Sequence, residues 1–425
     1  MEIWIIAIFC VGYLLIALEH TIHIDKTATA LVTGVLCWTV YILNADTHIV
    51  SEQLLEQLGE VSGILFFLMG AMTIVELIDL HDGFEIINRN ITTRNRRKLL
   101  WIICLLTFVL SPVLDNLTTT IVMVTLCIKL VNEKHSRLLF IGMIIIAANA
   151  GGAFSPIGDV TTTMLWIGGQ ISTAAIVEML LLPSAVSLLV PLTIATFMVK
   201  VEMQAVPDEV ENKSPMGATA FEQRLVFVSG ITSLLLVPIF KTTTHLPPFM
   251  GMMLALGALW ILTQLIHRKK DQTEKQKLSV IRALERMDVP SVLFFLGILL
   301  AVGVLQHTGQ LAELASTLGT TFKSEKLILT IIGMASAVVD NVPIVAATMA
   351  MYSLDAYPMD HSFWLLLAYC AGTGGSLLVI GSAAGVAAMG LEDISFGWYL
   401  KHIAWLAFLG YISGIGVFIA QESFL

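Results

Sequence analysis

Segment after segment of this chain runs uncharged and apolar for longer than a soluble domain tolerates. Ile3–Leu18 and Leu99–Leu110 are two such runs, and neither alternates as a barrel strand does. Runs of this kind are stable in a bilayer, where a helix satisfies its own backbone. The expected fold class is therefore an all-α polytopic membrane protein. Only 13% of the residues are charged, about half the share in a soluble domain. That excludes a soluble enzyme and a disordered chain. With 23 Lys and Arg against 32 Asp and Glu there is no basic excess to hold phosphates, so lipid is an expected partner and nucleic acid is not. The cysteines (Cys10, Cys37, Cys104, Cys127 and Cys370) sit in apolar runs without a CxxC pair and read as small hydrophobes. Met1-Glu2 opens without a basic region or a cleavage site, so the first run is expected to be a helix of the mature protein.

Charges and turn residues bound spans near 2–19, 28–43, 61–80, 137–172, 175–199, 225–240, 248–266, 290–306, 363–393 and 397–420. Two more segments, 98–131 and 327–352, are broken near their middles by Asp115-Asn116 and Asp340-Asn341. The landmarks recur. His23…Trp38 returns as His245…Trp260, Leu65-Phe66-Phe67-Leu68 as Leu293-Phe294-Phe295-Leu296, Ser111…Asp115-Asn116 as Ser336…Asp340-Asn341, and Gly151-Gly152…Gly158 as Gly374-Gly375…Gly381. The offsets stay between 222 and 228 residues, so two homologous halves are expected. They cover 1–199 and 225–425, joined by a polar linker at 200–224.

Charge decides how the broken segments run. If each enters and leaves on one face, twenty Lys and Arg fall on one side of the membrane and three (Lys241, Lys323, Lys326) on the other. That is the bias expected of a cytoplasmic face. A single broken crossing would put the clusters at 89–98 and 268–286 on opposite faces. The preferred arrangement is two inverted-topology repeats of five crossings plus a re-entrant hairpin, with a broken helix in each half and both termini outside. Inverted repeats with broken helices are transporter architecture, and the breaks mark the binding site.

The breaks hold the residues that could carry chemistry. An ionised Asp at the bilayer centre costs about 2.5–3.5 kcal/mol even on the lenient scale. Asp115 and Asp340 recur at matched tips, so each is read as binding a cation or a proton, with Asn116 and Asn341 as neutral oxygen ligands. Ser111, Ser336 and the Thr hydroxyls add more oxygens, which suit a hard ion such as Na⁺. Asp159 follows the Gly151–Gly158 break and supplies a third carboxylate; half two has Ser382 there. The competing reading is a helix N-cap for each acid, and the two readings can coexist. A carboxylate that holds either Na⁺ or H⁺, but not both, is what exchange by alternating access requires.

Other polar residues read more simply. Glu19, His20, His23 and Asp25 lie at the end of the first crossing, where a histidine is structural more often than pH-sensing. Glu76 and Asp79 read as a solvated helix end, with a pathway role as the alternative, and Glu60 could guard an outer vestibule.

Three motifs together are specific: Ser111-Pro-Val-Leu-Asp-Asn-Leu-Thr-Thr-Thr120, Asn149-Ala-Gly-Gly-Ala-Phe-Ser-Pro-Ile-Gly-Asp-Val-Thr-Thr162 and Ser336-Ala-Val-Val-Asp-Asn-Val-Pro343. With Ala371-Gly-Thr-Gly-Gly-Ser376, they resemble the NhaD-type sodium/proton antiporters of the ion transporter superfamily across both halves. The resemblance implies a secondary transporter of the bacterial inner membrane that exchanges Na⁺ or Li⁺ for H⁺ without a cofactor, as a homodimer. The residues it implies are Ser111, Asp115, Asn116, Thr118, Asn149, Asp159, Thr161, Thr162, Ser336, Asp340 and Asn341, with Na⁺ at Asp115, Asn116, Asp159, Asp340 and Asn341. The alternative is a cation-coupled dicarboxylate symporter or an arsenite-type permease on the same scaffold. Acidic tips argue against an organic anion. An intramembrane aspartyl protease needs Tyr-Asp and Gly-x-Gly-Asp motifs, which surround neither Asp115 nor Asp340.

Overall fold

Acid, amide and hydroxyl side chains mark where the helices of this chain start. The computed structural model describes residues 1–88, 91, 93, 95–199, 218–322 and 324–424, with the backbone alone at His20, Thr21, Ile87, Asn88 and Val339. The first half holds α1 (Glu2–Ala17), α2 (Lys26–Asn44), α3 (Thr47–Leu80), α4 (Arg96–Leu114), α5 (Asn116–Leu130), α6 (Lys134–Gly152), α7 (Val160–Ile167) and α8 (Thr173–Met198). The second holds α9 (Ala220–Thr244), α10 (Pro248–Ile266), α11 (Val289–His307), α12 (Glu325–Val339), α13 (Asn341–Met351), α14 (Ser362–Gly374), α15 (Ala383–Leu391) and α16 (Ala404–Glu422). Asp25, Asp46 and Asn95 cap α2, α3 and α4 by accepting backbone N–H groups of the first turn. Thr219 and Glu222 form a reciprocal capping box on α9. Among the described residues, nine helices are long and apolar enough to cross a membrane.

Most expected spans become helices, with informative differences. The 137–172 and 363–393 stretches each divide into a long helix and a short one, α6 with α7 and α14 with α15, on either side of the Gly-rich breaks. The 61–80 span is the inner part of α3, which begins at Thr47. Its 34 residues extend about 51 Å, against a hydrocarbon core of about 30 Å. Glu52, Glu56 and Glu60 lie exposed on the surplus turns, and these charges made the span look shorter in sequence. An amphipathic helix at Gln310–Thr321 had no apolar run to announce it. Residues 200–217 of the expected linker, and Lys323, lie outside the described residues.

The halves pack alike. The packing of α1 on α2 recurs as α9 on α10, α4 on α6 as α12 on α14, and α5 on α15 as α13 on α7. The strongest cross-half contacts also come as a matched set: α2 on α11, α3 on α10, and α8 on α16. Backbone irregularities repeat too. His23 and His245 are left-handed C-caps, at φ 56° and 60°, which gives both histidines a structural place. A Cβ on Gly151 would stand 2.5 Å from the Phe108 carbonyl oxygen, and one on Gly374 would meet the Gly333 carbonyl oxygen. These matched glycines let α4 press onto α6 and α12 onto α14. The helices so fall into two groups, α1–α3 with α9–α11, and α4–α8 with α12–α16.

Candidate functional site

Each half breaks at one acidic residue. Asp115 separates α4 from α5 and Asp340 separates α12 from α13, at φ 74° and 65°. L-residues rarely adopt this backbone, which costs on the order of 1–3 kcal/mol and collects at functional sites. The two acids then diverge. Asp115 caps α5: its Oδ1 accepts the Thr118 N–H at 2.7 Å and its Oδ2 the Thr118 hydroxyl at 3.2 Å. Half two has Pro343 at the matching place, with no N–H to donate. Asp340 makes no side-chain cap and pairs with Lys26 instead, at 3.2 Å from Nζ to Oδ2.

The asparagines beside these acids converge on Asp159, which is 2% exposed. Asn116 Nδ2 donates to Asp159 Oδ2 at 2.5 Å and to Asn149 Oδ1 at 3.0 Å. Asn341 Nδ2 donates to Oδ1 and Oδ2 of Asp159 at 3.3 and 3.2 Å. Asp159 also caps α7, accepting the Thr161 N–H at 2.9 Å and the Thr161 hydroxyl at 2.8 Å. The hydroxyls of Thr162 and Thr163 donate to its backbone carbonyl. Hydrogen bonds to a charged group contribute about 1.5–3 kcal/mol each. The four donors on this carboxylate therefore offset part of the cost of a charge at this depth.

This geometry accounts for the unpaired acid. One carboxylate, from half one, receives the amides of both tips, so half two needs no second. Its counterpart Ser382 caps α15 through the Gly385 N–H and accepts from Asn149 Nδ2 at 3.0 Å. Asn149 Nδ2 also donates to Ser376 Oγ at 2.9 Å. Ser111 and Ser336 act as ties: their hydroxyls donate to the Ala148 carbonyl at 2.6 Å and the Ala371 carbonyl at 3.3 Å, on α6 and α14.

A cavity of about 720 Å³ reaches Leu117 and Thr118, next to the Asp115 tip. The packing of α11 on α13 would have α3 on α5 as its counterpart, but here the cavity lies between those two helices. Met72, Val75, Glu76 and Asp79 of α3 face Thr118, Ile121, Val122 and Thr125 of α5 across it. Its walls carry seven acids (Glu19, Asp25, Glu76, Asp79, Asp82, Glu85, Asp288) against Lys26, Lys129 and Arg286. Such a wall concentrates cations and repels anions. An adjoining cleft lined by Tyr13, Glu19, Lys26 and Asp340 shares Glu19, Lys26 and Val386 with it.

A family model described as "Citrate transporter" matches residues 13–372. The protein named "Sodium/proton antiporter 1" of Arabidopsis thaliana is 49% identical over 421 residues, covering 98% of this chain and 72% of the relative. The "Na(+)/H(+) antiporter NhaD" of Alkalimonas amylolytica is 33% identical over 445 residues, covering 97% and 89%. The chain belongs to the NhaD family of sodium/proton antiporters. It is a multi-pass membrane transporter, not an enzyme. In fold alone it is similar to the YdaH transporter of Alcanivorax borkumensis, with a TM-score of 0.57 at 12% identity and 90% coverage of each chain.

For this member of the NhaD family, the structure joins Asn116, Asn149, Asp159, Thr161 and Asn341 in one network. It sets Asp115 with Thr118 at one edge and Asp340 at another. Glu76 and Asp79 stand in the cavity wall, where Arg286 pairs with both at 3.2 Å. Glu60 is exposed on α3 away from that wall, and the His20 side chain lies outside the description. Sequence reasoning missed Lys26 as a partner of Asp340 and Asp288 as a wall residue. Their only signal was the apolar span following each, which made them look like ordinary helix starts.

Proposed function

We propose that this chain exchanges Na⁺, and Li⁺, for H⁺ by alternating access in the bacterial inner membrane, with Asp159 as the shared site. One observation carries the reading: a single buried carboxylate collects amides from the tips of both halves, and an acidic cavity reaches Thr118 beside one of those tips. The Asn116 and Asn341 amides present N–H to it. Turning each amide about its Cβ–Cγ bond would present oxygen instead, which a hard cation prefers. Na⁺ would then sit among Asp159, Asn116, Asn341 and the Thr161 hydroxyl, reached past Asp115 and Asp340. A proton on Asp159 would remove the charge that holds Na⁺, so each ligand excludes the other.

The same reading keeps two inverted halves, 1–199 and 225–425, each with five crossings and a hairpin. Arg96 at the start of α4 pairs with Glu133 just past α5 at 2.8 Å. Tyr357, past α13, donates to Glu325 at the start of α12 at 2.8 Å. Both contacts support segments that return to the face they left. The positive-inside bias makes the cavity face cytoplasmic and leaves both termini outside. On the opposite side, Lys241 of α9 donates to the Trp166 carbonyl of α7, which supports an inward-facing state. A homodimer is part of the proposal on the family resemblance alone.

Purified protein in proteoliposomes under an imposed pH gradient tests the function. Na⁺ or Li⁺ added opposite the protons should collapse the gradient, and K⁺ or citrate should not. Collapse by citrate added on the acidic side, with none by Na⁺ on the opposite side, would favour the organic-anion symporter.

A further inference from the structure

We propose that Lys26 is a built-in competing cation: it occupies Asp340 in this state, and a transported cation must displace it. The inference rests on the reading of the hairpin tips given above. It turns on a difference between the halves that two residues create. Thr118 holds the Asp115 carboxylate in a cap, while Pro343, its counterpart, leaves Asp340 uncapped. Lys26 opens α2, while its counterpart Pro248 opens α10, so Asp115 has no equivalent lysine. One tip carboxylate is thus held by its own helix and the other by a cation from the opposite helix group.

The surroundings of Lys26 favour a charge that can leave. Its ammonium lies 3.2 Å from Asp340 Oδ2 and 4.7 Å over the Phe294 ring of α11. Its backbone N–H donates to Glu19 Oε1 at 3.2 Å, which fixes the root of the side chain but not its end. The two side chains are 23% and 14% exposed and border the cleft that joins the main cavity. A cation entering from the acidic cavity therefore meets the pair before it meets Asp159. Displacing Lys26 does two things. It frees Asp340 to help ligate, and it breaks an ion pair between the α1–α3/α9–α11 group and the tip that must move against it. Lys26 so acts through Asp340 as a positioning residue that sets the cation concentration at which exchange begins.

The test compares Lys26→Met, Lys26→Gln and Lys26→Arg in proteoliposomes at one alkaline pH. Both uncharged variants should lower the Na⁺ concentration for half-maximal exchange about fivefold, the effect expected of a half-buried ion pair. Lys26→Arg should restore the wild-type value to within about twofold, because the charge and the pairing survive. Binding read as the Na⁺-dependent rise in melting temperature of detergent-solubilised protein adds a control that needs no transport. There, Lys26→Met should tighten Na⁺ binding in the wild-type background and change nothing in an Asp340→Asn background. A half-saturation unchanged or raised in the uncharged variants overturns the proposal. So does equal tightening with Asp340 replaced, since Lys26 would then act elsewhere. Wild-type protein that exchanges no Na⁺ in the same vesicles defeats the antiport reading itself, and that outcome is separate from either.

Discussion

Asp159→Asn removes one charge and almost no volume. Asp159 now accepts from the Thr161 N–H, the Thr161 hydroxyl, Asn116 and Asn341. Asparagine keeps one acceptor, which can serve Thr161 and preserve the cap on α7. Its new amide faces the N–H groups of Asn116 and Asn341, and Asn116 cannot turn without losing its bond to Asn149 Oδ1. The larger loss is electrostatic. Removing one partner of a buried charge pair costs about 3–5 kcal/mol. At about 1.4 kcal/mol per tenfold, Na⁺ affinity should fall more than a hundredfold. Asp115→Asn is the informative contrast, because asparagine caps a helix as well as aspartate does and Asp115 lies at the edge of the network. It should still impair exchange severely, but with a smaller loss of Na⁺ binding than Asp159→Asn. Exchange in proteoliposomes from pH 7 to 9 reads the first effect, and the Na⁺-dependent melting temperature reads the second. If Asp159→Asn exchanged Na⁺ at the wild-type rate across that range, Asp159 would be a cap only and the mechanism would be wrong.

Gly151→Ala would drive a Cβ to 2.5 Å from the Phe108 carbonyl oxygen. It should cost about 1–3 kcal/mol, seen as a lower melting temperature and less protein in the membrane; an unchanged melting temperature would refute the close contact. In a Cys10→Ser background, cysteines replacing the exposed Asn132 and Thr273 should both label from the cytoplasm, and those replacing Glu52 and Ala356 from outside. Labelling of 52 and 132, or of 273 and 356, from the same face would refute the re-entrant hairpins and the inverted halves. His81, just past α3, is buried against His267 with their Nε2 atoms 3.2 Å apart. Burial first, and the neighbouring His267 among the lesser causes, holds its imidazole down at about 4. The unfolded chain then takes up the proton first, near the ordinary value of about 6.5. Stability is unaffected above that pH and falls as the pH drops from there toward 4. His81→Asn should flatten the fall in melting temperature between pH 7 and 5, and an equally steep fall would count against His81 as its source.

The sequence alone determined most of the apolar helices, the recurrence of landmarks along the chain and the candidate acids. Each of these rests on a local cost. Bilayer lipid forces backbone bonds to close within a segment. Charge at that depth is expensive enough that Asp115, Asp159 and Asp340 stood out, and the glycines at 151 and 374 stood out because they recur. Rank among the acids was not legible. Asp159 is central because Asn116 and Asn341, 43 and 182 residues away in the chain, both turn their amides to it. Asp340 is paired because Lys26, 314 residues away, reaches it from another helix group. Glu76 and Asp79 read as a solvated helix end until packing placed α3 across a cavity from α5. Periodicity and local spacing describe what a segment must bury. Which carboxylate meets which donor depends on side chains far apart in the chain, and only the packing of the two helix groups brings them together.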